Sequence, residues 1–241
     1  MSTGARRERV VVTHVAGRIG DHNDRAMAAS PRLAAALARR YDVEPVVIGS
    51  PRPALSVGWQ VELDAARDEL EALSAHYKVL WAGSAVPVTA LSRCAGALAT
   101  LPVVSTNRPD ALVVWFDAHA DLNFPESTPS GYLGGLALSG PLGLWDSGLG
   151  AGLGTDNVVL AGVRDIDPPE ADLIEGAGSV AGLEQGAHVL AGEGPTQDLA
   201  LAGAVDDPAG LVGPGAQAQA DHGPAGDAEL QVAAGGAADV A

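Results

Sequence analysis

The residues of this sequence with the clearest capacity for chemistry are Asp117, His119 and Asp121, which follow the apolar run VVWF. On an extended chain, alternate residues point to the same side, so two carboxylates and one imidazole would converge. The two acids repel each other unless a cation lies between them. Carboxylate and imidazole ligands together suit a divalent ion such as Mn²⁺. The alternative is a solvated polar turn at the end of a strand, with no ligand role.

The elements that must position this cluster alternate between strands and helices. Ser30 as N-cap and Pro31 at the first helical position predict the start of one helix, and residues 62–77 have the apolar spacing of another. This alternation predicts an α/β fold of three αβα layers around a doubly wound parallel sheet, with ligands at the carboxyl ends of the strands. The strand before the cluster is almost wholly apolar, as in strands covered on both faces. Strands are predicted at 9–15, 43–51, 78–83, 111–116 and 156–165, and a third helix at 87–101.

Composition divides the chain into two parts. All 14 Lys and Arg residues lie at or before Arg164, whereas 14 of the 30 acidic residues follow it. This acidity argues against nucleic-acid binding, which needs a basic surface. We predict a folded domain over residues 1–178 and an acidic Ala/Gly/Pro-rich low-complexity tail over residues 179–241.

Cysteine content and hydropathy narrow the class of protein further. The single cysteine, Cys94, excludes an intramolecular disulfide and a cysteine-built zinc site, and we interpret it as a small buried residue in a helix. No apolar run reaches the length of about 20 residues needed to span a membrane. The first residues lack the apolar segment of a signal peptide, so we expect a cytoplasmic protein.

The motif around the cluster resembles a known family. The segment VVWFDAHADLN, followed by STPSGY, resembles the central signature of the arginase/agmatinase/formiminoglutamase family, the ureohydrolases. The segment VVLAGVRDIDPPE at 158–170 is similar to the strand and loop that come next in that family. The resemblance covers roughly residues 10–178 and implies an arginase-like fold that is incomplete at its C-terminus. It also implies a homo-oligomer, a trimer or hexamer.

The activity implied by the resemblance is manganese-dependent hydrolysis of a C–N bond in a guanidino compound or a related linear amidine. In the family, two Mn²⁺ ions hold a hydroxide that attacks the substrate carbon. Asp117 would bridge the two ions, His119 would bind one and Asp121 the other. The residues that match substrate-binding positions are Asn123, Ser130, Asp167 and Glu170.

Three features depart from the family pattern. The earliest family ligand, a histidine or cysteine after two glycines, aligns here with Gly83-Ser84-Ala85, which offers no ligand. Gly134-Gly135 stands where arginases have His-Gly, and Tyr132 replaces an asparagine, so substrate selection should differ. The second carboxylate motif, Asp-x-Asp-x-x-Asp-Pro, is not found after residue 180. Two alternatives to an active hydrolase follow: a catalytically inactive family member, or an unrelated doubly wound protein that binds a small molecule.

Overall fold

The structure is a computed structural model of the chain, and it describes residues 9–176 and the backbone of residues 187–190. Most of the predicted tail, 179–241, therefore lies outside the described residues. The strands are β1 Arg9–Val15, β2 Val46–Ile48, β3 Ala85–Ala90, β4 Val113–Phe116, β5 Val158–Ala161 and β6 Ala187–Leu190. The helices are α1 Arg25–Tyr41, α2 Trp59–Ala82, α3 Ala97–Asn107 and α4 Pro168–Gly176, with short 3₁₀ turns at Cys94–Gly96, Gly134–Leu136 and Thr155–Asn157.

The strands form two sheets of three strands each. In the first, the order is β2-β1-β3 and all neighbours are parallel. In the second, the order is β4-β5-β6, with β4 parallel and β6 antiparallel to β5. The predicted α/β class with parallel strands and flanking helices is confirmed. The single continuous sheet is not observed within the described residues, because β3 and β4 each pair along one edge only.

Two apolar clusters hold these sheets to their helices. Leu70 and Leu73 of α2 pack with Val15 of β1 and Leu98 of α3 in the first cluster. The second joins Trp115 and Leu160 of the other sheet to residues of α3 and α4. Each large side chain that is fully buried in this way contributes about 1.5–3 kcal/mol to stability. Within the described residues, no helix is long and apolar enough to cross a membrane.

The strand predicted at 78–83 is wrong. Residues 78–82 form the end of α2, and Tyr77 and Leu80 continue the buried helical face. An apolar run of this length fits a strand or the continuation of a helix, and the packing of its buried face against the first sheet decides for the helix. The chain reverses at Gly83 and at Ser84, whose φ is +51°, and β3 follows. The helix predicted next begins only after β3.

The predicted start of the first helix at Ser30 is also wrong, because α1 begins at Arg25. Pro31 lies inside the helix and has no N–H to donate to the carbonyl of Met27. The Ser30 hydroxyl donates to that carbonyl instead, at 3.2 Å, and also lies 3.0 Å from Nε2 of His14. A side-chain hydroxyl therefore replaces the missing backbone donor, and the helix continues through the proline.

Strand β4 differs from its prediction in burial. Its apolar sequence suggested cover on both faces, and Trp115 is indeed buried. On the opposite face, however, Phe116 is 71% exposed and Val114 is 36% exposed. Among the described residues, one face of this strand therefore has little cover.

Candidate active site

The predicted cluster lies where β4 ends, beside the end of β5. The pairing of these strands continues into the loops, since the Asp117 N–H donates to the Ala161 carbonyl at 3.2 Å. The backbone N–H groups of Arg164 and Asp165 both donate to the carbonyl of Ala118, at 2.9 and 3.0 Å. The loops that carry the candidate residues are thus fixed by the sheet at the carboxyl ends of its parallel strands.

The three predicted metal ligands are only partly brought together. Nδ1 of His119 lies 3.3 Å from Oδ1 of Asp117, and the His119 N–H donates to the same oxygen at 3.0 Å. The His119 side chain is 55% exposed, whereas Asp117 is 6% exposed and Asp121 is buried. Asp121 has a φ of +51°, so the extended path ends before it and its side chain turns inward. Asp117 therefore lies between an exposed imidazole and a buried acid.

Cys94 is a candidate site residue that the sequence analysis missed. It begins the 3₁₀ turn that comes after β3 and is buried; its Sγ donates to the Gly134 carbonyl at 3.5 Å and also hydrogen-bonds with Asp121. The predicted match of the first family ligand to Gly83-Ser84-Ala85 is wrong, because those residues precede or begin β3, at the strand end opposite the site. The sequence contains one signal for this: the helical spacing of apolar residues continues to Leu80, so the next strand must begin later. Cys94 then follows the carboxyl end of that strand, β3.

Electrostatics in this cluster disfavour the ionised form of Asp121. Burial raises the pKa of Asp121 well above its usual range, and the neighbouring Asp117 carboxylate raises it further. The negative charge of Glu170 acts in the same direction, while the hydrogen bond with Cys94 opposes them. A proton or a divalent cation would relieve this repulsion.

Three of the predicted substrate-binding residues meet beside this cluster. The Asn123 amide donates to Oδ2 of Asp167 at 2.8 Å. Glu170 accepts from the N–H of Leu122 at 2.9 Å and from the N–H of Asp167 at 2.9 Å. The last bond is half of a capping box at the start of α4, with Asp167 as N-cap residue. These contacts fix the loop after Asp121 to α4, and burial raises the pKa of Glu170.

The fourth, Ser130, is exposed and accepts a hydrogen bond from the Tyr132 N–H at 3.2 Å. The Tyr132 ring lies edge-on to the His22 ring, with centroids 4.5 Å apart. Nε2 of His22 is 2.7 Å from a carboxylate oxygen of the buried Glu62. Burial raises the pKa of Tyr132 further above neutral pH, so its hydroxyl is a neutral donor and acceptor. Ser130 therefore contacts the turn that carries Tyr132, and it lies apart from the hydrogen bonds that join Asn123, Asp167 and Glu170.

A buried ion pair borders the site on the side of β1. Nε of Arg93 lies 3.3 Å from Oδ1 of Asp21, in the loop after β1. The other oxygen of Asp21 accepts from the Ser92 hydroxyl at 2.8 Å and from the Ile19 N–H at 3.0 Å. Burial raises the pKa of Asp21, and these three donors oppose the shift. The pair joins the loops that follow β1 and β3.

The donor atoms suit a divalent cation, but the described residues do not complete a site for one. Asp117 and Asp121 offer the hard oxygen donors that suit Mn²⁺, and the thiol of Cys94 and the imidazole of His119 are softer donors beside them. Within residues 9–176, however, no three His, Cys, Asp or Glu side chains are arranged to hold an ion together. A metal bound by Asp117 and Asp121 would therefore need a third donor, and Cys94 or His119 could supply it if its side chain moved.

Comparisons with known proteins agree with this architecture. The sequence model of the arginase family matches residues 64–182. An N(omega)-hydroxy-L-arginine amidinohydrolase of Streptomyces lavendulae is 43% identical over 162 residues, which are 67% of this chain and 59% of that relative. The arginase of Bacillus caldovelox has a similar structure, with a TM-score of 0.56 and 25% identity over 70% of this chain and 62% of that one.

The fold and these matches define an arginase-fold protein. Over its described part, the chain belongs to the arginase family. The arginase of Entamoeba histolytica shows the same fold, with a TM-score of 0.61 and 23% identity over 70% of this chain and 63% of that one. The chain spans about three-fifths of the length of these relatives.

Proposed function

We propose that this chain is a manganese-dependent hydrolase of a guanidino or related amidine C–N bond, with its metal ligands at the end of β4. The observation that carries the proposal is the buried Asp121 carboxyl facing Asp117. Two carboxyl groups and a thiol in one buried place are unfavourable without a counter-charge. Bound Mn²⁺ would supply that charge and would acidify a water molecule for attack on the substrate carbon.

The candidate residues would have two roles, metal binding and substrate binding. Asp117, Asp121 and His119 would hold metal, and Cys94 would add a soft ligand from the end of β3. Asn123, Asp167 and Glu170 would orient the amino-acid end of the substrate through the loop that they fix against α4. Ser130 would bind the same end from the exposed turn before Tyr132.

The first substrates to test are L-arginine and Nω-hydroxy-L-arginine. The Streptomyces lavendulae relative is named for the second compound and the Bacillus caldovelox relative is an arginase, so both compounds are suggested by similarity. A homo-oligomer, a trimer or hexamer, in the cytoplasm belongs to the same proposal. The division into a domain at 1–178 and a tail at 179–241 stays a prediction.

The decisive measurement is metal content after loading of the full chain with Mn²⁺. We expect the wild-type protein to retain manganese, and Asp117→Ala and Asp121→Ala to retain less than about a tenth as much, since each loses a charged ligand. Cys94→Ala should retain an intermediate amount. Asp110→Ala is the matched control, because this exposed acid pairs with Arg108 at the surface. Equal manganese in all five proteins would refute the metal site.

Activity is tested separately, as urea release from the two substrates by the manganese-loaded chain. A catalytically inactive family member is the second candidate, and it is favoured by the incomplete ligand arrangement within residues 9–176. Manganese retention without urea release from either compound, or from agmatine, would support this second candidate.

A further inference from the structure

We propose that Tyr132 selects the substrate in this site, because its hydroxyl bonds to a polar substituent on the guanidino group. The Tyr132 ring takes the space that a side chain at position 134 would otherwise fill. The inference rests on the proposed function for its substrate class. The inference concerns binding of that substrate, and binding can be measured as a dissociation constant whether or not the protein hydrolyses the compound.

The first argument is the position of the ring. A Cβ added at Gly134 would lie 2.8 Å from Cζ of Tyr132 and 2.9 Å from Sγ of Cys94. Both distances are shorter than those at which Cβ atoms in proteins approach other heavy atoms. The Tyr132 ring therefore occupies the volume that any side chain at position 134 would need. The same ring also contacts the His22 ring edge-on, and Nε2 of His22 lies 2.7 Å from a carboxylate oxygen of the buried Glu62.

The second argument is the surroundings of the hydroxyl. The ring carbon Cζ of Tyr132 and the Sγ of Cys94 lie 2.8 and 2.9 Å from the same point, the Cβ position of Gly134, so the end of the ring that carries the hydroxyl lies beside a candidate metal ligand. Among the residues that the structure describes, none forms a hydrogen bond with this hydroxyl, whereas the buried hydroxyl of Tyr77 bonds to Thr89 at 2.8 Å. The hydroxyl of Tyr132 thus has capacity for a ligand.

The third argument is chemical. A neutral hydroxyl donates one hydrogen bond and accepts others, so it matches a hydroxyl or amino substituent on the guanidino group better than an unsubstituted cation. A site built to bond a substrate hydroxyl discriminates strongly against the analogue that lacks it, because its own polar group is then left unpaired. We therefore assign Nω-substituted guanidino compounds as the preferred ligand class.

The experiment measures the dissociation constants of Nω-hydroxy-L-arginine and L-arginine by calorimetry, with the full chain both free of metal and loaded with Mn²⁺. Wild-type protein should bind the hydroxylated compound at least about tenfold more tightly, the factor that corresponds to one hydrogen bond of about 1.4 kcal/mol. Tyr132→Phe keeps the ring and should reduce this preference to less than about twofold, mainly by weakening the first ligand. Tyr41→Phe, at an exposed tyrosine of α1, should keep the wild-type preference.

Two glycine variants test the position of the ring. Gly134→Ala should abolish the preference by displacing the ring, while Gly135→Ala should keep it, since a Cβ there meets no atom within 4 Å. An unchanged preference in Tyr132→Phe, or the absence of binding or preference in the wild type, would overturn the inference. Selective binding without urea release would instead reject the hydrolase and leave the role of Tyr132 intact.

Discussion

At the scale of single residues, the site depends on Asp121 more than on the exposed members of its motif. The sequence places Asp117, His119 and Asp121 at equal spacing, but their surroundings differ. The His119 side chain is 55% exposed to solvent. Asp121 is buried beside another acid, and its ionised form is stable only with a counter-charge. The buried acid is therefore the residue at which metal binding and stability are coupled.

This coupling predicts the behaviour of Asp121→Asn. A carboxyl whose pKa is raised in the folded protein keeps its proton longer than in the unfolded chain, so metal-free stability falls as pH rises above 3.8 toward the folded pKa. At pH 7 with a chelator, the variant should therefore have an equal or higher Tm than the wild type. Mn²⁺ should raise the Tm of the wild type and not that of the variant.

Scanning calorimetry with and without Mn²⁺ checks this prediction. A metal-free variant that melts well below the wild type would contradict it, because the ionised Asp121 would then be stabilising. An equal Tm rise in both proteins would show that manganese binds elsewhere.

At the scale of elements, the packing of α2 decides where the site is built. Its apolar face runs from Leu63 to Leu80 and docks on the first sheet, so the chain cannot form a strand until Ala85. This places Cys94, and not Gly83-Ser84-Ala85, at the carboxyl end of β3. The contact of α2 with β1 also carries a polar pair, in which Nε2 of His76 lies 2.9 Å from the Thr13 hydroxyl.

The polar pair predicts a pH dependence of folding. Burial lowers the pKa of His76 below 6.5, so as pH falls below that value the unfolded chain takes up a proton that the folded chain excludes. The free energy of unfolding should therefore decrease from pH 6.5 toward pH 5. In His76→Gln this decrease should be smaller, since glutamine does not titrate.

Urea unfolding at half-unit pH steps measures this difference between variant and wild type. His14 titrates in the same direction, so some pH dependence should remain in the variant. Identical slopes for the two proteins would mean that His76 is protonated equally in both states.

At the scale of the whole molecule, two sheets with open edges stand in place of one. Within the described residues, β3 and β4 are both edge strands, and the exposed Phe116 and Val114 lie on the face of β4 opposite Trp115. An unpaired edge with a large exposed aromatic is a site of association with other chains. Asp117, His119 and Asp121 follow the carboxyl end of β4, so a chain that covers the exposed face of β4 would lie close to the candidate site.

The open face predicts self-association through β4. Phe116→Ser should lower the light-scattering mass of the purified chain at concentrations of about 100 µM, while changing the free energy of unfolding by less than about 0.5 kcal/mol. Val79→Ser is the matched control, because Val79 is similarly exposed but lies on a helix without a free edge. Equal masses for the wild type and Phe116→Ser would refute association through this strand.

The sequence by itself determined the family, the α/β class and the position of the motif at the end of β4, because these depend on local spacing and on a specific run of residue types. Asn123, Asp167 and Glu170 lie together beside that motif, and their predicted role in binding the substrate stays a prediction. Only the tertiary structure decided the boundary between α2 and β3, since an apolar run alone fits either element until its partners are known.

The tertiary structure also decided which members of the motif are buried. Burial depends on neighbours that are distant in the chain, such as Cys94 and Glu170 beside Asp121, and no local pattern encodes them. For the same reason the exposed face of β4 was unforeseen. An apolar strand indicates that cover is favourable, but only the positions of the other elements determine whether that cover is present.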